Sequence, residues 1–169
     1  SQCDIFLAKN SNLTYQRMTN DHREATHLGS LCCHQDFASK FKGIQVSLGG
    51  KNSRQEAKIH LAQKEAVAQI DGIYVPQKDQ SLDHFTQMIH GAPHTTSYQF
   101  YKGVAAKNGV GSFQGHIEVK QQAQKIKAHQ LNKNLILDPE AAINSKPQLK
   151  IQADDVKCTH GSTIGQLRQ

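Results

Sequence analysis

Ile44-Gln45-Val46-Ser47-Leu48-Gly49-Gly50 and, a few residues later, Ala57-Lys58-Ile59-His60-Leu61 alternate apolar and polar residues. A period of two marks an extended strand, because successive side chains of a pleated chain leave on opposite faces. This reading puts Ile44, Val46 and Leu48, then Ala57, Ile59 and Leu61, on buried faces. The alternation returns at Phe113, Gly115, Ile117 and Val119, at Gln124, Ile126 and Ala128, at Leu149 and Ile151, and at Val156 and Cys158. Ser81 to Ile89 is the best helix candidate, yet it contains Thr86 and runs into Gly91-Ala92-Pro93, so it reads equally as a strand.

The strands recur roughly every ten residues, a spacing that sandwiches and barrels share with solenoids. The separators favour a solenoid. Asn108-Gly109 is the one hairpin-like signal, whereas Lys120-Gln121-Gln122, Asp138-Pro139-Glu140 and Asn144-Ser145-Lys146-Pro147 read as corners that do not reverse the chain. Short parallel strands stacked coil on coil fit this pattern, although the repeat is degenerate and a sandwich or barrel stays open. Cys3-Asp4-Ile5-Phe6-Leu7 starts strand-like at once, and Gly165-Gln166-Leu167-Arg168-Gln169 runs on without a terminator. The expectation is one domain over 1–169, a fragment of a longer protein whose caps lie elsewhere.

Length and composition bound the function. At 169 residues, with 37% hydrophobic and 20% charged residues, the chain can bury a core without a disulfide framework or structural metal. The mean hydropathy of −0.61 reflects uncharged polar residues, and apolar runs such as Leu135-Ile136-Leu137 are far too short to span a membrane. Ser1-Gln2-Cys3-Asp4 lacks a signal-peptide layout, so a cytoplasmic setting with reduced thiols is expected for Cys3, Cys32, Cys33 and Cys158. Twenty Lys+Arg against 14 Asp+Glu give a net charge of +6. The lysines are scattered singly, as at Lys51, Lys78 and Lys107, with no basic run interleaved with aromatics, so nucleic acid is not the expected partner.

The densest polar segment is Ala153-Asp154-Asp155-Val156-Lys157-Cys158-Thr159-His160-Gly161-Ser162-Thr163. On a strand, Val156, Cys158 and His160 share one face while Lys157 and Thr159 share the other. A thiolate and an imidazole so placed can reach one soft metal ion; the competing reading is a buried thiol beside a surface histidine. Lys157 and Asp155 pull the Cys158 pKa in opposite directions, which leaves its charge state open. Cys32-Cys33-His34 is a second cluster, read as structural because adjacent cysteines on a strand point to opposite faces. His22, His27, His84, His90, His94, His116 and His129 follow no metal-ligand spacing and read as surface or turn residues. Asp154-Asp155 diverges on a strand and offers no catalytic carboxylate pair. Gly109-Val110-Gly111 lacks the third glycine and the helix of a phosphate loop.

The segment from Asn144 to Thr163, with its Lys157-Cys158-Thr159-His160-Gly161 core, resembles the signature of the SufD family, scaffold subunits of the SUF iron–sulfur cluster assembly complex. His94-Thr95-Thr96-Ser97, Tyr101-Lys102-Gly103-Val104, Phe113 to Val119, Ala123-Gln124-Lys125 and Asn132 to Leu137 are similar to the same family. The likeness runs from about Pro93 to Gly165; upstream it is one of general character. It implies an all-β core, a right-handed parallel β-helix. It also implies a non-catalytic scaffold that pairs with a related SufB-type subunit, itself lacking the Lys-Cys-x-His-Gly motif. In the family, the Cys and His of that motif, here Cys158 and His160, lie at the subunit interface, where they are candidate iron ligands for a transient iron–sulfur cluster. A SufC-type ATPase would dock on helices beyond the core and thus outside this chain. Alone, the chain is expected to self-associate. The rival readings are a secreted-type β-helix polysaccharide lyase or hydrolase and a purely structural β-solenoid.

Overall fold

The computed structural model describes residues 1–167, and among these the chain is all strand and turn, without helix. The strands are β1 (Gln2–Leu7), β2 (Asn12–Thr19), β3 (Thr26–Gln35), β4 (Lys40–Ser47), β5 (Asn52–Leu61), β6 (Val67–Tyr74), β7 (Ser81–His90), β8 (Thr96–Ala105), β9 (Val110–Val119), β10 (Ile126–Ile136), β11 (Ala142–Ile151) and β12 (Val156–Gln166). They form two sheets with the orders β1-β3-β5-β7-β9-β11 and β12-β10-β8-β6-β4-β2, every pair parallel. Each strand thus pairs with the second one along, and the chain winds into a parallel β-solenoid, one odd and one even strand per coil. Asn52 lies opposite Ser81 and Ser81 opposite Val110, so a coil takes about 30 residues, within the usual range for a stacked repeat.

The corners repeat more faithfully than the sequence suggests. After each of the first five odd strands, the turn holds one residue at positive φ: Asn10, Ala38, Glu65, His94 and Lys125. Left-handed backbone costs a non-glycine residue about 1 kcal/mol or more. Hydrogen bonds between coils hold several of these turns in place: the Asn10 amide donates to the Phe37 carbonyl at 2.9 Å, Ala38 to Lys64 at 3.0 Å and His94 to Gln124 at 3.0 Å. Asn108-Gly109 is also a corner, joining β8 to β9 in the opposite sheet, and not a hairpin. Asn144-Ser145-Lys146-Pro147 lies inside β11 and is not a corner.

The two sheets enclose a core that includes Leu31, Ile59, Leu61, Ile70, Leu82, Met88, Tyr101 and Phe113. Burying each such side chain stabilises the fold by about 1.5–3 kcal/mol. Ala57, Ile59 and Leu61 face inward as expected, as do Phe113, Gly115, Ile117 and Val119. β4 reverses the expected facing: Phe41, Gly43, Gln45 and Ser47 point inward, while Ile44 and Val46 lie on the outer face, half-buried. The cause lies across the lumen. Tyr101 fills the interior so closely over Gly72 that a Cβ there would sit 2.1 Å from its ring. Its hydroxyl needs an acceptor, and Gln45 Oε1 accepts it at 2.8 Å. Tyr74 likewise donates to Asn134 Oδ1 at 2.8 Å.

Candidate functional site

β12 pairs with β10 so that Cys158 lies beside Ala128 and His160 beside Gln130. Ala128 and Gln130 are interior residues, and in-register neighbours of a parallel sheet point the same way. Val156, Cys158 and His160 therefore share the face that alternation assigns them, and that face is the lumen side of the solenoid. β12 ends its sheet and β11 ends the other, so no further described strand covers this coil. Leu149 and Ile151, which follow the buried Ile117 and Val119 in register, are accordingly 36% and 41% exposed.

Cys158 is half-buried and packs with Val156 against Ile117, Val119, Ala123, Ile126, Ala128 and Ala153. Burial pushes its thiol pKa up, so apolar packing, rather than the opposing pulls of Lys157 and Asp155, sets its protonated state. His160 is exposed beside it. Alpha carbons two apart on a strand are separated by about 7 Å, within reach of a shared inorganic ligand between the two side chains. On the outer face of the same strand, Thr159 hydrogen-bonds His129 Nδ1 at 2.7 Å, and the His129 ring stacks on Tyr98 at 5.3 Å. Asp154 and Asp155 are exposed in the turn that leads into β12. Among the described residues no three of His, Cys, Asp and Glu gather to hold a metal ion. Cys158 and His160 are two neighbouring side chains of ligand type and by themselves no complete cage.

Cys32-Cys33-His34 divides as its strand alternation predicts. Cys33 is 3% exposed in the core, its thiol pushed up to about 12 by burial and then by nearby Cys3. Cys32 and His34 face outward, where the His34 ring meets His60 edge-on at 4.9 Å. All four cysteines are free. Two histidines overturn the surface reading. His84 is 1% exposed, sandwiched between the rings of Tyr74 and Tyr101 at 5.2 and 5.5 Å. His90 is fully buried, with Thr95 Oγ1 on Nδ1 at 2.7 Å and Ser97 Oγ on Nε2 at 2.9 Å. Burial lowers both to about 4, so both are neutral imidazoles at pH 7. Strand alternation puts His84 on the face of Leu82 and Met88, a signal that the sequence carries in its period of two and not in any ligand spacing.

The solenoid also gathers basic residues that the sequence scatters. Arg23, Lys51, Lys78 and Lys107 come to one corner on successive coils, where Arg23, Lys78 and Lys107 line a polar cleft with Asn20, Asp21 and Gln80. Asp21, Glu24 and Asp79 interleave with them, and Lys51 pairs Glu24 at 3.3 Å. The corner is of mixed charge, not a polyanion track. Among the described residues no helix is long and apolar enough to cross a membrane.

The chain matches the family model described as SUF system FeS cluster assembly, SufBD core domain, over residues 1–169. It is 34% identical to the iron–sulfur cluster assembly protein SufD of Escherichia coli, over 96% of this chain and 38% of that protein. It is 32% identical to an iron–sulfur cluster assembly SufBD family protein of Synechocystis, over 97% of this chain and 36% of that protein. It is 29% identical to the Arabidopsis thaliana protein ABCI7, chloroplastic, over 98% of this chain and 35% of that protein. The likeness thus extends well upstream of Pro93, and the chain spans little more than a third of the length of these relatives.

Proposed function

The chain belongs to the SufBD core-domain family of the SUF iron–sulfur cluster assembly system, and from that premise we propose that it is a SufD-like, non-catalytic scaffold that pairs with a SufB-type subunit. In this reading Cys158 and His160 are the contribution of this chain to a site shared by the two subunits, where iron and sulfide gather into a nascent cluster. The cluster is cargo, assembled and passed on. The observation that carries the reading is the position of the pair: a thiol and an imidazole, both of soft-metal donor type, on one face of β12, in a chain that matches the SufBD core domain throughout.

The chemistry follows from the two donors. A neutral His160 imidazole offers one nitrogen lone pair directly. Cys158 must lose its proton to ligate, and since burial raises its pKa, ligation releases a proton and is favoured by rising pH. Two donors do not complete the coordination of iron, so the remaining ligands come from sulfide and from the partner. In this reading the partner is a second solenoid of the same family, and without it a second copy of this chain would compete for the same surface. A SufC-type ATPase would engage regions outside this chain.

The test is co-expression with a SufB-type partner, followed by size-exclusion chromatography and iron and acid-labile sulfide analysis. A stable complex that carries iron and sulfide, and loses most of both in His160→Ala with association intact, is the expected result. Wild-type cluster content in that variant removes His160 from the site, and failure of the chain to enter any complex removes the pairing.

A further inference from the structure

The residue beneath His160 is buried and has spare hydrogen-bonding capacity. Gln130 pairs in register with His160 on one side and with Gln99 on the other. It is 3% exposed, and neither its Oε1 nor its Nε2 has a hydrogen-bond partner in the described protein. Its amide crosses the lumen to β9, where Gly115 makes the room: a Cβ there would lie 1.5 Å from Gln130 Nε2. One strand further in, Thr86 donates its hydroxyl proton to Gln99 Oε1. That carbonyl oxygen has a second lone pair. A buried amide with every valence idle costs about 1–3 kcal/mol, and a position that excludes a side chain opposite in order to admit one is built for it.

We propose that Gln130 is the positioning residue of His160: its Oε1 accepts the N–H of the imidazole nitrogen that faces the lumen, while its Nε2 donates to Gln99 Oε1. The polarity of this relay has a chemical consequence. Thr86 occupies one lone pair of Gln99 Oε1 and Gln99 Nε2 is without a partner among the described residues, so either end of the Gln130 amide can meet Gln99; in the proposed polarity Gln130 Nε2–H takes the remaining lone pair of Oε1 and the Gln130 carbonyl faces β12. A neutral imidazole carries one proton; with that proton held toward Gln130, the lone pair of the other nitrogen points away from it and is free to ligate. In the opposite amide orientation, Gln130 would donate to His160 and leave the outward nitrogen protonated and unable to ligate. Strand spacing of about 4.8 Å lets in-register side chains of β8, β10 and β12 hydrogen-bond as a ladder with only side-chain rotation. The inference rests on His160 as a metal ligand, but its structural content, a locked tautomer, is separable from that reading.

The experiment reads the two apart. With the whole chain labelled with nitrogen-15 at histidine, the imidazole shifts of His160 at pH 8 report its tautomer. The wild type and Gln130→Glu, which keeps the acceptor, should each show one tautomer in excess of about tenfold, and Gln130→Met, similar in shape but without an acceptor, should show a mixture. In the complex with the SufB-type partner, Gln130→Met should weaken iron retention about 10- to 100-fold, as loss of a ligand-orienting hydrogen bond does elsewhere. A tautomer mixture in the wild type, or an unchanged tautomer in Gln130→Met, overturns the inference whatever the iron result. A locked tautomer that Gln130→Met releases, with iron content unaffected, upholds the positioning and sinks His160 as ligand. If Gln130→Met does not fold, Gln130→Ser, which shortens the side chain out of reach and keeps it polar, takes its place with the same expectations.

Discussion

Acid should loosen this solenoid from within, and His84→Phe should remove a defined part of the effect. His84 is buried between Tyr74 and Tyr101, and desolvation lowers its pKa from 6.5 to about 4, with the nearby Asp83 charge opposing only in part. The folded state thus binds a proton at this ring less readily than the unfolded chain does. The unfolded chain takes up more protons between pH 6.5 and 4, so the contribution is fully present above 6.5 and is lost as pH falls through that window. Integrating a shift of that size between pH 7 and pH 5 gives about 2 kcal/mol of lost stability from His84 alone. His90, also lowered to about 4 by burial, adds a similar amount with the same sign. Phenylalanine fits the same aromatic slot and does not titrate. Neither His84 nitrogen has a hydrogen-bond partner in the described protein, so the substitution breaks no bond. At pH 7 the variant should match the wild type within about 1 kcal/mol, the overpacking cost of the larger ring offsetting the removed polar group. Urea unfolding at pH 7 and pH 5 measures the difference: the wild type should lose about 2 kcal/mol more than His84→Phe over that interval, while His90 keeps titrating in both. Equal losses in the two proteins would refute the buried-imidazole account.

Gly115→Ala should destabilise by about 1–3 kcal/mol, because its Cβ would collide with Gln130 and Phe113, and Gln130→Ala in the same chain should recover most of that loss in urea unfolding. Thiol alkylation of the native chain followed by mass spectrometry should modify the partly exposed Cys3 and Cys32 before Cys158 and leave Cys33 unmodified at pH 8, whereas Cys158 should react increasingly as pH rises past 9. Rapid modification of Cys33 in folded protein would contradict its place in the core. His160→Ala should lower the unfolding free energy of the isolated chain, measured in urea, by no more than about 1.5 kcal/mol, the net worth of an exposed ring and one hydrogen bond to Gln130; a larger loss would mark it as structural.

Alternation by itself was enough to identify a strand-built chain, to put Cys158 and His160 on one face, and to separate Cys32 from Cys33. Each of these follows from backbone geometry within three or four residues, which tertiary context does not alter. The lumen was a different matter. A period of two is unchanged when its two faces are exchanged, so the apolar set Ile44, Val46 and Leu48 looked inward on local grounds, whereas Tyr101, two coils away, requires Gln45 inside as the acceptor for its hydroxyl. The burial of His84 and His90 is not legible locally, because it depends on Tyr74, Tyr101, Thr95 and Ser97, which the winding of the chain brings together. The corners hid for a related reason: left-handed turns at Ala38, Glu65 and Lys125 carry no glycine signal, and hydrogen bonds to the next coil hold such turns. The same winding puts Gln130 under His160, a contact between residues thirty apart that only the register of β10 against β12 decides.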